Sequence, residues 1–323
     1  MMLSVAVQTY IDRKRALGHS YQGRGYVLKS LLKKIGDEPL EQITTAEVSS
    51  FLDARQSRTS SWRVKYGLLR GFFEYWEARE HLRALPLPPM RAPVPSTFVP
   101  YVYSREELKL LLRGTRTSQT NRDYLVDAPT FRTLLLFLYA TGTLKSEALR
   151  LQCADVDLRR GAITVRGDWP ARTRVLPIGS DLQDTLRKYI NSPSRKAIKS
   201  DYFFPTRLGR GINAANILKR FQRLRRVVGA TRPDTSPFQP RLHDLRHTFA
   251  VHRITAWYRS GADVNRLLPA LSAYLGQHLC SAERYLSLSP ERFRKPLDML
   301  SPPRLHATNW RNSPKLMKFL AEL

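Results

Sequence analysis

The sequence predicts a mainly helical protein with a small antiparallel β-sheet, divided into two domains, and three observations carry that prediction. Apolar residues recur at helical spacing through residues 1–84, six prolines crowd the stretch from Pro86 to Pro100, and two short β-rich segments lie at 162–166 and 173–178. The chain of 323 residues is long enough for two domains, and its 42% hydrophobic and 25% charged residues exclude wholesale disorder and a fibrous repeat.

The first domain, residues 1–85, reads as a helical bundle. Ser4 is placed to cap a helix running to Gly18, with Val7, Ile11 and Leu17 on one face. A second helix carries Val27, Leu28, Leu31, Leu32 and Ile35 and stops at Gly36. Thr44 and Glu47 form a capping box before Val48, Phe51 and Leu52. The fourth helix, from about Ser60 to Leu82, buries Trp62, Leu69, Phe72, Phe73 and Trp76. Prolines 86, 88, 89, 93, 95 and 100 then remove amide donors, so residues 86–100 predict a semi-rigid extended linker.

The second domain, residues 101–300, opens with another capping box, Ser104 and Glu107, before a helix over 106–113. Pro129 suits the first turn of a helix through Phe137. The segments 162–166 and 173–178 predict a hairpin across 167–172. Further helices are predicted at 180–190, 213–228, 244–259, 263–275, 278–286 and 290–299. Residues 301–323 form a tail.

Charge narrows the partner. Lys and Arg number 54 against 27 acidic residues, a net charge of +27. Such a surface needs a polyanion, and no run of about 18 apolar residues offers a membrane span. The two cysteines, Cys153 and Cys280, are too few for a disulfide scaffold or a zinc site, and the expected setting is a reduced cytoplasm. Residues 159–232 hold 18 basic and 4 acidic residues. Within them Lys219, Arg220, Arg223, Arg225 and Arg226 fall on one helix without the acids that a balanced surface helix would show. Contact with the phosphates of double-stranded DNA is the expectation for Lys219, Arg220, Arg223 and Arg226, and for Arg174 in the hairpin.

Three segments carry a resemblance. They are Tyr139-Ala-Thr-Gly-Thr-Leu-Lys-Ser-Glu-Ala-Leu-Arg-Leu151, Leu242-His-Asp-Leu-Arg-His-Thr-Phe-Ala250, and Leu271-Ser-Ala-Tyr-Leu-Gly-Gln-His-Leu-Cys-Ser-Ala-Glu-Arg-Tyr285. In order, spacing and context they resemble the tyrosine recombinases, the phage-integrase family of DNA strand-exchange enzymes, and the tract from Ala256 to Val264 looks like its transposon-associated branch. The resemblance implies an N-terminal core-binding (SAM-like) helical domain and a C-terminal mixed α/β catalytic domain that clamp a duplex. It also implies assembly on paired DNA sites as homo- or hetero-oligomers, with the 301–323 tail a possible inter-protomer helix.

By the same resemblance Tyr285 is the nucleophile, Arg246 binds the scissile phosphate, His243 is an acid/base or phosphate donor, and Glu147 supports the site as a buried ion-pair partner. Attack by a phenol conserves the phosphodiester as a 3′-phosphotyrosine, so rejoining by a 5′-hydroxyl requires no metal and no cofactor. Arginine suits the task because its guanidinium is permanently charged and matches phosphate geometry.

Three family positions depart. The first arginine falls on Leu144, with Lys145 next to it; the hairpin lysine falls on Trp169, with Arg172 nearby; the late His or Trp falls on Gln277, with His278 following. Lys145, Arg172 and His278 are therefore candidate substitutes. His247 and His252 have no family role and are read as structural or DNA-facing. Two functional readings follow: an integrase-type recombinase acting through Tyr285 within an assembly, or a catalytically impaired member serving as DNA-binding accessory to a complete recombinase of the same mobile element. Both place the protein in a prokaryotic cytoplasm, at the nucleoid.

Overall fold

The computed structural model describes residues 1–19, 21–54, 59–93, 98–117, 125–167, 173–232 and 238–289. The described residues form two compact units: Met1–Val99 with 166–167 and 173 make up the first, and Pro100–Val165 with 174–232 and 238–289 the second.

The first unit holds α1 (Leu3–Ala16), α2 (Gln22–Ile35), α3 (Thr45–Asp53) and α4 (Thr59–Glu77). Its core is the set the periodicity selects, including Leu28, Leu31, Val48, Phe51, Leu69, Phe72 and Phe73, all buried. Gly36 ends α2 at φ +99, a conformation open to glycine because it has no Cβ. The Thr44–Glu47 box is formed in full: the Thr44 amide donates to Glu47 Oε2 at 2.8 Å, and the Glu47 amide donates to Thr44 Oγ1 at 3.3 Å. Ser4 differs from expectation. It lies inside α1, behind Met2 as cap residue, and its hydroxyl and amide both donate to Asp37. Described linker residues 86–93 and 98–100 have no regular secondary structure.

The second unit runs α5 (Arg105–Thr117), α6 (Ala128–Thr141), α7 (Lys145–Arg150), β1 (Val156–Asp157), β2 (Ala162–Val165), β3 (Arg174–Pro177), α8 (Ser180–Ile190), α9 (Pro193–Lys196), α10 (Ala214–Val227), α11 (Asp244–Arg259), α12 (Val264–Leu275) and α13 (Leu279–Ser287). The hairpin has gained a third strand: the order is β1-β2-β3, antiparallel throughout, with Ile163 opposite both Val156 and Leu176. Ile163, Val165 and Leu176 turn inward onto Phe131, Phe137, Leu186 and Phe204. Helices α11, α12 and α13 build a second cluster from Ala250, Ile254, Leu268, Leu271, Leu275 and Tyr285. The predicted helix at 290–299 and the 301–323 tail lie outside the described residues. Among the described residues no helix is long and apolar enough to cross a membrane.

Candidate active site

The site gathers at the start of α11, where α6 and α12 end beside it and α13 crosses it. Two left-handed glycines set the stage. Gly142 (φ +60) ends α6 and Gly276 (φ +65) ends α12. A Cβ at Gly142 would stand 2.6 Å from Phe249 Cδ1 and 2.7 Å from Leu275 Cδ2, so only glycine fits that turn.

These two helix ends offer carbonyls to Arg246. Its Nη1 donates to Gly142 O at 2.7 Å, and its Nη2 donates to Leu275 O at 2.9 Å and to Gln277 Oε1 at 3.1 Å. The side chain is buried, and burial lowers its pKa, while Tyr285 and Glu147 act the other way. Neutral oxygens hold this guanidinium rather than a paired carboxylate. A buried cation fixed in this manner is a seat for an anion, since leaving its charge uncompensated is costly.

Tyr285 is 4% exposed on α13, and its side chain is hydrogen-bonded to Arg246, the guanidinium donating to the phenolic oxygen. His243 sits at the N-terminus of α11 with an exposed edge. Its pKa is lowered by burial of the rest of the ring, then by the positive charge of Arg246, Arg241 and Lys145, against the opposing pull of Asp244. Lys145, the first residue of α7, is thus electrically coupled to His243. Leu144 is half-buried and spends its amide on Glu147 Oε2 at 2.8 Å. Trp169 and Arg172 lie outside the described residues.

His247, read from the sequence as structural or DNA-facing, lies in the site. Its ring meets His243 edge to face, centroids 4.9 Å apart, and tilts against Tyr285 at 5.6 Å. Burial drives its pKa down to about 4, reinforced by His243 and opposed by Asp244. A spacing of four on a helix puts 243 and 247 on one face, and that signal was present in the sequence. His252 lies away from these groups, its Nδ1 3.0 Å from the Tyr139 hydroxyl.

At the third departure, the Gln277 amide is the group that reaches Arg246. His278, a candidate substitute, instead stands exposed as the residue before α13.

Two expected DNA contacts are corrected. Arg174 is turned inward: its Nη1 and Nη2 donate to the two carboxylate oxygens of Glu147 at 2.7 and 3.0 Å, and its Nε donates to Tyr274 O at 2.8 Å. The bidentate pair is buried and occupies the guanidinium. Arg220 lies on the apolar side of α10 with Ile217, Phe221 and Leu224. Its guanidinium donates to the carbonyls of Val126 and Asp127 and covers the Phe131 ring at 4.2 Å. Lys219, Arg223 and Arg226 are exposed on the opposite face of the same helix.

Known proteins share this architecture. The sequence model of the phage integrase family matches residues 104–272. The chain is 32% identical over 307 residues to y4rB of Sinorhizobium fredii, a protein whose name assigns it to the integrases/recombinases, covering 91% of this chain and 96% of the relative. It is 27% identical over 289 residues to the tyrosine recombinase XerA of Thermococcus kodakarensis, covering 89% and 91%. The fold matches the Tn1549 transposon integrase in complex with a circular intermediate DNA at a TM-score of 0.63 and 15% identity, over 93% of this chain and all of that one. With the family model covering more than half of its length and y4rB matching 91% of it at 32% identity, the chain belongs to the phage integrase family.

Proposed function

We propose that this protein binds double-stranded DNA and exchanges strands at specific sites, with Tyr285 as nucleophile. In the forward step the Tyr285 oxygen bonds to a backbone phosphorus as the bond to the 5′-oxygen breaks. The DNA 3′ end is then held as a phosphotyrosine. In the reverse step a 5′-hydroxyl attacks the same phosphorus and frees the phenol. Arg246 holds the non-bridging oxygens, with His243 beside it, and the charge that develops there meets a guanidinium already fixed in place.

The observation that carries this reading is the buried Arg246 guanidinium, fixed by the Gly142 and Leu275 carbonyls and hydrogen-bonded to Tyr285, with His243 nearby. The names of the relatives and the DNA in the Tn1549 complex agree with it. The exposed basic face of α10 supplies phosphate contacts, residues 1–85 and 101–300 each bind the duplex, and the protein works in the cytoplasm on the chromosome or a mobile element. Because Leu144 removes a guanidinium, the working form is an assembly in which neighbouring protomers supplement the site.

A nicked duplex carrying the binding site, selected from a random pool, tests the proposal on a denaturing gel. Wild type is expected to form a covalent adduct and Tyr285→Phe none. A second reading, the accessory subunit, is favoured by Leu144. It predicts salt-sensitive binding without adduct until a complete recombinase is added.

A further inference from the structure

An arginine side chain offers five N–H donors, and Arg246 spends most of its own inside the protein. Both hydrogens of Nη2 are taken, one by Leu275 O at 2.9 Å and one by Gln277 Oε1 at 3.1 Å. One hydrogen of Nη1 goes to Gly142 O at 2.7 Å, and the Tyr285 oxygen accepts from a further N–H. What remains is at most a single N–H, whereas a two-pronged grip on a phosphate needs two. A second donor has to stand beside the guanidinium.

Gln277 carries one. Its side-chain oxygen accepts from Arg246, and the nitrogen on the same carbon is buried with no hydrogen-bond partner among the described residues. The orientation is fixed by chemistry, because a guanidinium only donates and the amide must turn its oxygen toward it. A buried NH2 without an acceptor is rare and costly, so one placed against an anion seat calls for an anion. The backbone aims the group. Gly276 ends α12 in the left-handed conformation, the Gln277 amide donates to Ser272 O at 3.1 Å, and the buried Ser272 hydroxyl donates back to Gln277 O at 2.6 Å. Arg246, Tyr285 and this nitrogen are enclosed together, so a movement that admits a phosphate to the first two admits it to the third. His278, one residue further on, is exposed.

We propose that the Gln277 carboxamide is a ligand of the scissile phosphate: its nitrogen donates to one non-bridging oxygen while its oxygen keeps Arg246 in place. This rests on the strand-cleavage reading above. A carboxamide suits both tasks, since one planar group carries an acceptor and two donors. Gln277 exchanges no proton and forms no bond to phosphorus. The O–P bond still forms at Tyr285 and the P–O5′ bond still breaks, and the Gln277 N–H meets the charge that gathers on the non-bridging oxygen between those two events.

Adduct formation by the full chain is measured on three nicked duplexes of the selected site. One has the ordinary scissile phosphate; the others are the two separated phosphorothioate diastereomers, in which one or the other non-bridging oxygen is sulfur, a poorer hydrogen-bond acceptor. On the ordinary duplex Gln277→Met should react about 10²-fold slower than wild type. With the diastereomer that sets sulfur against Gln277 this gap should shrink about tenfold, and with the other it should keep its full size. Gln277→Glu, which leaves an oxygen on Arg246 and so preserves the clamp, should show the same dependence on the diastereomer and serves where the methionine variant melts early. His278→Ala should react at the wild-type rate. A gap of equal size on all three duplexes would reveal a clamp without a phosphate contact. That result, a Gln277 variant as fast as wild type, or an about 10²-fold loss in His278→Ala would each overturn the proposal while the cleavage reading stands. Wild type that forms no adduct on the ordinary duplex overturns both.

Discussion

A Cβ on Gly276 would stand 2.8 Å from Nη1 of Arg174, so the guanidinium paired with Glu147 occupies the space a side chain would need. Gly276 also has φ +65, and Gly229 has φ +68 with nothing within 4 Å of its Cβ position. Replacement by alanine therefore separates backbone strain from collision. Gly229→Ala should cost about 1–2 kcal/mol from the left-handed conformation alone. Gly276→Ala should cost more in thermal or urea denaturation, and it should also weaken the adduct because Leu275 O and Gln277 both bind Arg246.

The buried pair gives a second prediction. Glu147→Ala leaves the Arg174 charge without its carboxylate and should destabilise the second unit by about 3–5 kcal/mol. Glu147→Met combined with Arg174→Met should recover most of that loss. Equal melting temperatures for the single and double variants would show that the pair is not what Glu147 contributes.

The α10 arginines should divide into two classes. Alanine at Lys219, Arg223 or Arg226 is expected to leave the fold intact and to reduce the slope of log affinity against log salt by about 1 per residue. Arg220→Ala should instead lower the melting temperature, because it strips donors from Val126 and Asp127 and uncovers Phe131. Salt titration of binding together with calorimetry distinguishes the two.

Acid should be felt through His247. Its folded pKa of about 4 lies below the ordinary 6.5, so the unfolded chain binds this proton first. Stability is therefore complete above pH 6.5 and falls as pH drops toward 4, by on the order of 3 kcal/mol from this group. His247→Phe should show a shallower decline over that window than wild type. Parallel curves would mean that the imidazole titrates normally.

Much of this was legible in the sequence, for identifiable reasons. Thr44 with Glu47 and Ser104 with Glu107 are local devices, and both capping boxes form where their spacing places them. The strand β1 was missed because two residues carry no alternation to read. Arg220 was misassigned by counting charge rather than following period: positions 217, 220, 221 and 224 are one helical stripe, and the arginine lies on it. Arg174 could not be read correctly, because its partner Glu147 is 27 residues away and only the fold joins them. His247 was hidden by its neighbour Arg246, to which the three-box pattern drew attention. Its place beside Tyr285 depends on how α13 crosses α11, and no local pattern encodes that.

The near-complete enclosure of Tyr285 has a chemical consequence of its own. A strand end esterified to that oxygen would be screened from hydrolysis, so the break would wait for another strand rather than become permanent damage. On the proposed chemistry, that enclosure is what would set a joining enzyme apart from a nuclease.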